Sequence, residues 1–182
     1  MPNTYLKKYL KTQADLIKKI KTNSIVNIYE SLTKLSKNNK VFIFGNGGSA
    51  AVASHFALDL SNNSDIKCFT LPDMSMISCL SNDYGYENLF SKYLTIYGNK
   101  DDILILISSS GNSKNIINAY KCAQKLKFKN IFTLSGFNKK SPLSKISKNN
   151  IWINSKNYNQ IENLHQVCLL SVVDLFRKHN KD

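Results

Sequence analysis

Two short stretches of this chain carry residue types and spacings suited to holding an anion. The first is Gly45-Asn46-Gly47-Gly48-Ser49-Ala50-Ala51. Its glycines let the backbone turn sharply and approach a ligand closely. Helical residues follow, so unpaired N–H groups of a helix opening point at the same place, which makes an anion site. A tight strand-to-helix turn is the plainer reading, but the third glycine and the serine exceed what a turn needs. The second stretch is Ile107-Ser108-Ser109-Ser110-Gly111-Asn112-Ser113, also ahead of a helix. Hydroxyls and backbone N–H groups hold a phosphate without any cationic side chain. Ser113 alone would read as an N-cap; three consecutive serines go beyond capping.

Titratable residues add to these stretches. His55 and Asp59 stand four apart after the glycine stretch, on one helix face, where they suit one ligand, a metal, or a simple polar pair. Glu162 and His165 stand three apart near the start of the last helix, again on one face. Asn82-Asp83-Tyr84-Gly85-Tyr86 reads by itself as a turn. Gly45-x-Gly47-x-x-Ala50 loosely matches a dinucleotide fingerprint, which also wants an acid at the end of the next strand. Here that strand runs Cys68-Phe69-Thr70-Leu71-Pro72, with Asp73 beyond the proline. There is no Gly-Lys-Ser/Thr triphosphate loop either, so no nucleotide cofactor is expected.

The elements that must position these residues follow from hydrophobic spacing. Val41–Phe44, 67–71, 103–107, 130–134 and 151–153 are apolar runs without polar alternation, as strands buried on both faces require. Helical stretches lie between them, at 49–61, 75–82 with 87–97, and 113–126, and a last helix spans about 159–179. This alternation predicts an α/β fold: a parallel sheet, right-handed crossovers and helices on both faces. In such a fold chemistry sits at the carboxyl ends of the strands. Two helices precede the first strand, at 4–22 (Thr4 able to cap it) and 24–37; they cover the sheet or pack against another subunit. Residues 138–150 read as a polar loop with room for one helical turn. His179 falls in the tail.

The 182 residues fit one domain, and 42% hydrophobic content suffices for a core. No apolar run approaches the ~20 residues of a membrane span, and no signal peptide is visible behind Lys7 and Lys8. Cys68, Cys79, Cys122 and Cys168 form no CxxC pair, so a reducing cytoplasm is the expectation. Lys and Arg number 25 against 12 acids, a net charge of +13. Arg177 is the sole arginine, and arginine is the usual residue of base and phosphate forks. Specific nucleic-acid binding is therefore not expected; an anionic small substrate fits the field equally well.

The glycine stretch, His55-Phe56-Ala57, Asn82-Asp83-Tyr84-Gly85 and Ser108-Ser109-Ser110-Gly111-Asn112-Ser113, in this order, resemble the sedoheptulose-7-phosphate (phosphoheptose) isomerases of the sugar isomerase (SIS) domain superfamily. The resemblance covers nearly the whole chain. It implies a single SIS domain over 1–182, with a five-stranded parallel sheet and the helices of 1–38 in the interface of a homotetramer. It implies conversion of sedoheptulose 7-phosphate to D-glycero-D-manno-heptose 7-phosphate for lipopolysaccharide or capsule. By position, Asn46, Gly47, Gly48, Ser49, Asn82, Asp83, Ser108, Ser109, Ser110 and Ser113 would line the sugar-phosphate site.

The family binds zinc through His, Glu, Gln and His. Here those positions hold His55, Asp59, Glu162 and Leu170. Leucine neither binds metal nor carries a proton. The resemblance therefore leaves three readings open. One is an isomerase with zinc on His55, Asp59 and Glu162. Another is an isomerase without metal, using Glu162 and Asp59 as the proton shuttle, on this sugar phosphate or another. The third is a non-catalytic sugar-phosphate binder or replication-initiator partner.

Overall fold

The computed structural model describes residues 1–71 and 73–179, apart from the side chain of His179; Pro72 lies outside the described residues. Five parallel strands form one sheet, in the order β2-β1-β3-β4-β5. They are β1 Val41–Phe44, β2 Cys68–Phe69, β3 Ile103–Ser108, β4 Asn130–Ser135 and β5 Asn149–Trp152. Among the described residues the helices are α1 Pro2–Ile17, α2 Thr22–Thr33, α3 Gly48–Asn63, α4 Met74–Tyr84, α5 Leu89–Tyr97, α6 Lys114–Lys125, α7 Pro142–Ile146 and α8 Tyr158–His179.

The unbroken apolar runs have a direct cause. Alternate residues of β1 and β3 enter two different cores. Val41, Ile43, Ile103, Ile105 and Ile107 pack with residues of α2, α3 and α8 on one face. Phe42, Phe44, Leu104 and Leu106 pack with α4, α5 and α6 on the other. Every residue of β1 and β3 is buried. Burying each large side chain contributes roughly 2 kcal/mol, so helices settle on both faces as the sequence predicts.

The boundaries differ at the edges. β2 pairs over two residues rather than 67–71: it is an edge strand with β1 as its one neighbour, and Phe69 is exposed. β5 begins at Asn149, inside the predicted polar loop. The Asn150 amide finds partners there in Ser135 and Ser144, so a polar residue can enter the sheet. α1 starts at Pro2 with Met1 at its N-cap, so Thr4 lies inside it; proline suits the first helical position. α2 packs into the core through Ile28 and Leu32. α1 buries Leu16 alone and leaves Tyr5, Leu6, Leu10 and Ile17 exposed.

Candidate functional site

The sheet order sets where ligand can bind. From β1 the chain goes outward to β2, then returns to place β3 on the opposite side of β1. The carboxyl ends of β1 and β3 are thus neighbours at the point where strand order reverses, the usual crevice of an open α/β sheet. The glycine stretch leaves β1 at this point and the serine stretch leaves β3.

Gly47 adopts φ +55 at the N-cap of α3, a conformation that favours glycine. A Cβ on Gly48 would meet the Glu162 carboxylate. Glycine at this position therefore lets a carboxylate from α8 lie directly over the loop. The Ser49 hydroxyl donates to Glu162 Oε1 at 3.3 Å, and Ser49 is buried. The loop and the first turn of α8, separate in sequence, are brought together here.

In the serine stretch, Ser108 and Ser113 hydroxyls bond to each other at 3.0 Å. Ser113 occupies the N-cap of α6, yet its hydroxyl caps nothing. Ser110 Oγ accepts from the Asn112 N–H at 3.2 Å. Ser109 Oγ is buried with no hydrogen-bond partner among the described residues. A buried unsatisfied hydroxyl is costly and calls for a partner.

Asn46 is tied to Asn115 and to the Tyr86 phenol. Neither Asn115 nor Tyr86 was singled out in the sequence for a site; the position of Asn115 two residues after Ser113, on the first turn of α6, was the available signal. Asn82 and Asp83 sit exposed at the end of α4. Asn82 Nδ2 donates to Asp83 Oδ1 at 2.9 Å and the Cys79 thiol donates to Asp83 Oδ2 at 3.5 Å. Asp83 raises the Cys79 pKa through that bond and its charge.

On α3, His55 Nε2 faces Asp59 Oδ2 at 3.2 Å. Gln166, one turn beyond Glu162 on α8, approaches His55 Nδ1 with its Nε2 at 3.3 Å. An amide nitrogen only donates, so Nδ1 accepts and the proton of a neutral ring sits on Nε2, toward Asp59. Gln166 is a neighbour that the sequence reading missed.

These donors do not fit the four-ligand zinc set that the resemblance implies. Asp59 is engaged with His55, Glu162 with Ser49, and Leu170 packs against the core. No group of three His, Cys, Asp or Glu among the described residues is arranged to hold a metal ion. His165, fully buried, donates from Nε2 to the Ser135 carbonyl at 3.2 Å, while Nδ1 has no partner among the described residues. Burial pushes its pKa down to about 4, and the Ser135 carbonyl offsets part of that fall. The ring is neutral at ordinary pH and joins α8 to the end of β4. A cavity of about 950 Å³ opens at the amino ends of β1 and β2, lined by Leu35, Ile66, Phe176 and Arg177 among others; it holds none of the expected site residues.

Comparison with known proteins gives the family and the fold. The SIS domain family model matches residues 3–135. A phosphoheptose isomerase of Helicobacter pylori (strain P12) is 32% identical, over 96% of this chain and 89% of the relative. The structure of phosphoheptose isomerase GmhA from Neisseria gonorrhoeae superposes with a TM-score of 0.89 at 26% identity, covering 97% of this chain and 99% of that one. A phosphoheptose isomerase from Francisella tularensis superposes with a TM-score of 0.85 at 25% identity, covering 97% and 96%.

Proposed function

Because the chain belongs to the SIS domain family, and within it to the phosphoheptose isomerases, we propose that it converts sedoheptulose 7-phosphate to D-glycero-D-manno-heptose 7-phosphate. One observation carries the chemistry: the Glu162 carboxylate lies over Gly48 and against Ser49, at the crevice where both anion-suited loops open.

The residues divide the work. Ser108, Ser109, Ser110 and Ser113, with the opening turn of α6, grip the phosphate and orient the sugar. Asn46, Gly47, Gly48 and Ser49 form the opposing wall, and Asn82 and Asp83 border the site. Glu162 takes a proton from C1 of the ketose. The C1–H electron pair becomes the C1=C2 bond of an enediol as the C2 oxygen gains a proton. Glu162 returns its proton to C2 while the C1 hydroxyl loses its own, leaving the aldose. Asp59, the other carboxylate of the expected shuttle, stands ten residues along α3 from Ser49, about 15 Å by helix rise. The oxygen-bound protons therefore exchange with solvent at the crevice rather than with Asp59 of the same chain. A half-buried carboxylate facing the crevice is placed to reach the sugar carbons.

The site is expected to be completed in a homotetramer formed through residues 1–38, supported by the apolar side chains that α1 leaves uncovered. The product would enter surface polysaccharide synthesis in the cytoplasm. Leu170 favours a second reading, a sugar-phosphate binder without turnover. Incubation with sedoheptulose 7-phosphate, with and without a chelator, followed by NMR of the products, separates the readings. Turnover that survives chelation supports the Glu162 route; turnover lost on chelation assigns a metal; unchanged sugar supports the binder.

A further inference from the structure

Asn46 stands between Gly45 and Gly47, so its neighbours impose little on the backbone. Its side chain is nevertheless tied on three bonds. Asn46 Nδ2 donates to Asn115 Oδ1 at 3.0 Å, and Asn115 Nδ2 donates back to Asn46 Oδ1 at 2.9 Å. The Tyr86 phenol donates to the same Asn46 oxygen at 2.8 Å. Asn115 Oδ1 also accepts from the Ile116 N–H at 2.9 Å, which fixes that amide to the first turn of α6. Both side-chain oxygens therefore receive two donors each, and Asn115 is 2% exposed.

The three residues come from three separate segments: the glycine loop, the turn after α4, and the start of α6. Gly85 at φ +81 lets the chain turn after α4 and carry Tyr86 toward the loop. Asn118 Nδ2 donates to the Glu87 carbonyl at 2.9 Å, pinning the same turn to α6.

We infer that Asn115 and Tyr86 are positioning residues, which act through Asn46 to hold the glycine loop in register with the serine loop and so set affinity for the substrate phosphate. The inference rests on the sugar-phosphate reading above. Two helix openings act on one dianion only when their N–H groups converge. With the bridge cut, a loop flanked by glycines samples more backbone states, and re-ordering it on binding weakens affinity. The proton transfer, which depends on Glu162, is left in place.

The test uses Tyr86→Phe, Asn115→Ser and the double variant. Tyr86 is exposed, so loss of its hydroxyl leaves folding intact; serine at 115 is too short to reach Asn46. The measurements are KM and kcat for sedoheptulose 7-phosphate and the competition constant of inorganic phosphate. Tyr86→Phe is expected to raise KM and the phosphate constant roughly fivefold, the worth of one neutral hydrogen bond. Asn115→Ser is expected to raise both about tenfold or more, with kcat within about twofold in each case. The double variant should fall short of the product of the two effects, because both act on one oxygen. Unchanged KM and phosphate constants in Tyr86→Phe, or a loss confined to kcat or melting temperature, would overturn the inference. A wild-type protein that neither turns over the sugar nor binds phosphate would overturn the sugar-phosphate reading and the bridge with it. A wild type that does both, beside unaffected variants, overturns the bridge alone.

Discussion

A carboxylate that moves a proton between adjacent carbons must face the substrate and be free of a permanent cation. Glu162 has a serine hydroxyl for a partner, and no ion pair among the described residues involves it. Replacing it with glutamine keeps size and hydrogen bonding but removes the base. Glu162→Gln is expected to lower kcat by roughly 10²–10⁴-fold, with the phosphate competition constant little changed; full activity would take Glu162 out of the mechanism. His165 makes a different prediction at the same scale. Its pKa falls to about 4 in the folded protein, against about 6.5 unfolded. Between those values the unfolded state binds the extra proton, so stability is complete above about pH 6.5 and declines as pH falls toward 4. The lost contribution reaches about 3 kcal/mol. His165→Gln can still donate to Ser135 and is expected to flatten the melting temperature across that range. An unchanged slope would show that other groups govern acid stability.

At the scale of the element, a helix opening serves either itself or a ligand. N-cap serines usually contribute about 1 kcal/mol by accepting from an N–H of the first turn. Ser113 stands at the N-cap of α6 without doing so, its hydroxyl held by Ser108 instead. Ser113→Ala is therefore expected to raise KM several-fold while lowering stability by no more than the lost Ser108 bond, about 1 kcal/mol. The opposite result, a large loss of stability with unaltered KM, would return Ser113 to a capping role. The glycine loop shows the same division. A Cβ on Gly48 would meet the carboxylate of α8 that lies above it, so a side chain there would displace Glu162 from the loop.

For the whole molecule, the two leading helices part company. α2 completes the core, whereas among the described residues α1 leaves Leu6 55% and Leu10 65% exposed. The proposed homotetramer would cover this stripe. Leu6→Ser with Leu10→Ser is expected to lower the oligomeric state in sedimentation and, if the site is completed between subunits, to reduce activity in parallel. Unaltered assembly would remove α1 from the interface.

Much was legible in the linear chain because it rests on local chemistry. Apolar runs without alternation suit strands covered on both sides, and glycine or serine clusters ahead of helical stretches suit helix openings that hold an anion. The order of the motifs carried the family. Edge pairing was not legible, since the length of β2 and β5 depends on which neighbours offer partners. Nor was the fate of each polar side chain. Spacing on one helix puts His55 beside Asp59, but only packing decides that Gln166 meets that ring, that Glu162 rests on Gly48, and that His165 is buried neutral. Nothing between residues 46 and 115 announces that two asparagine amides pair across the crevice. Such contacts join segments distant along the chain, and their geometry exists only once both cores have closed around the sheet.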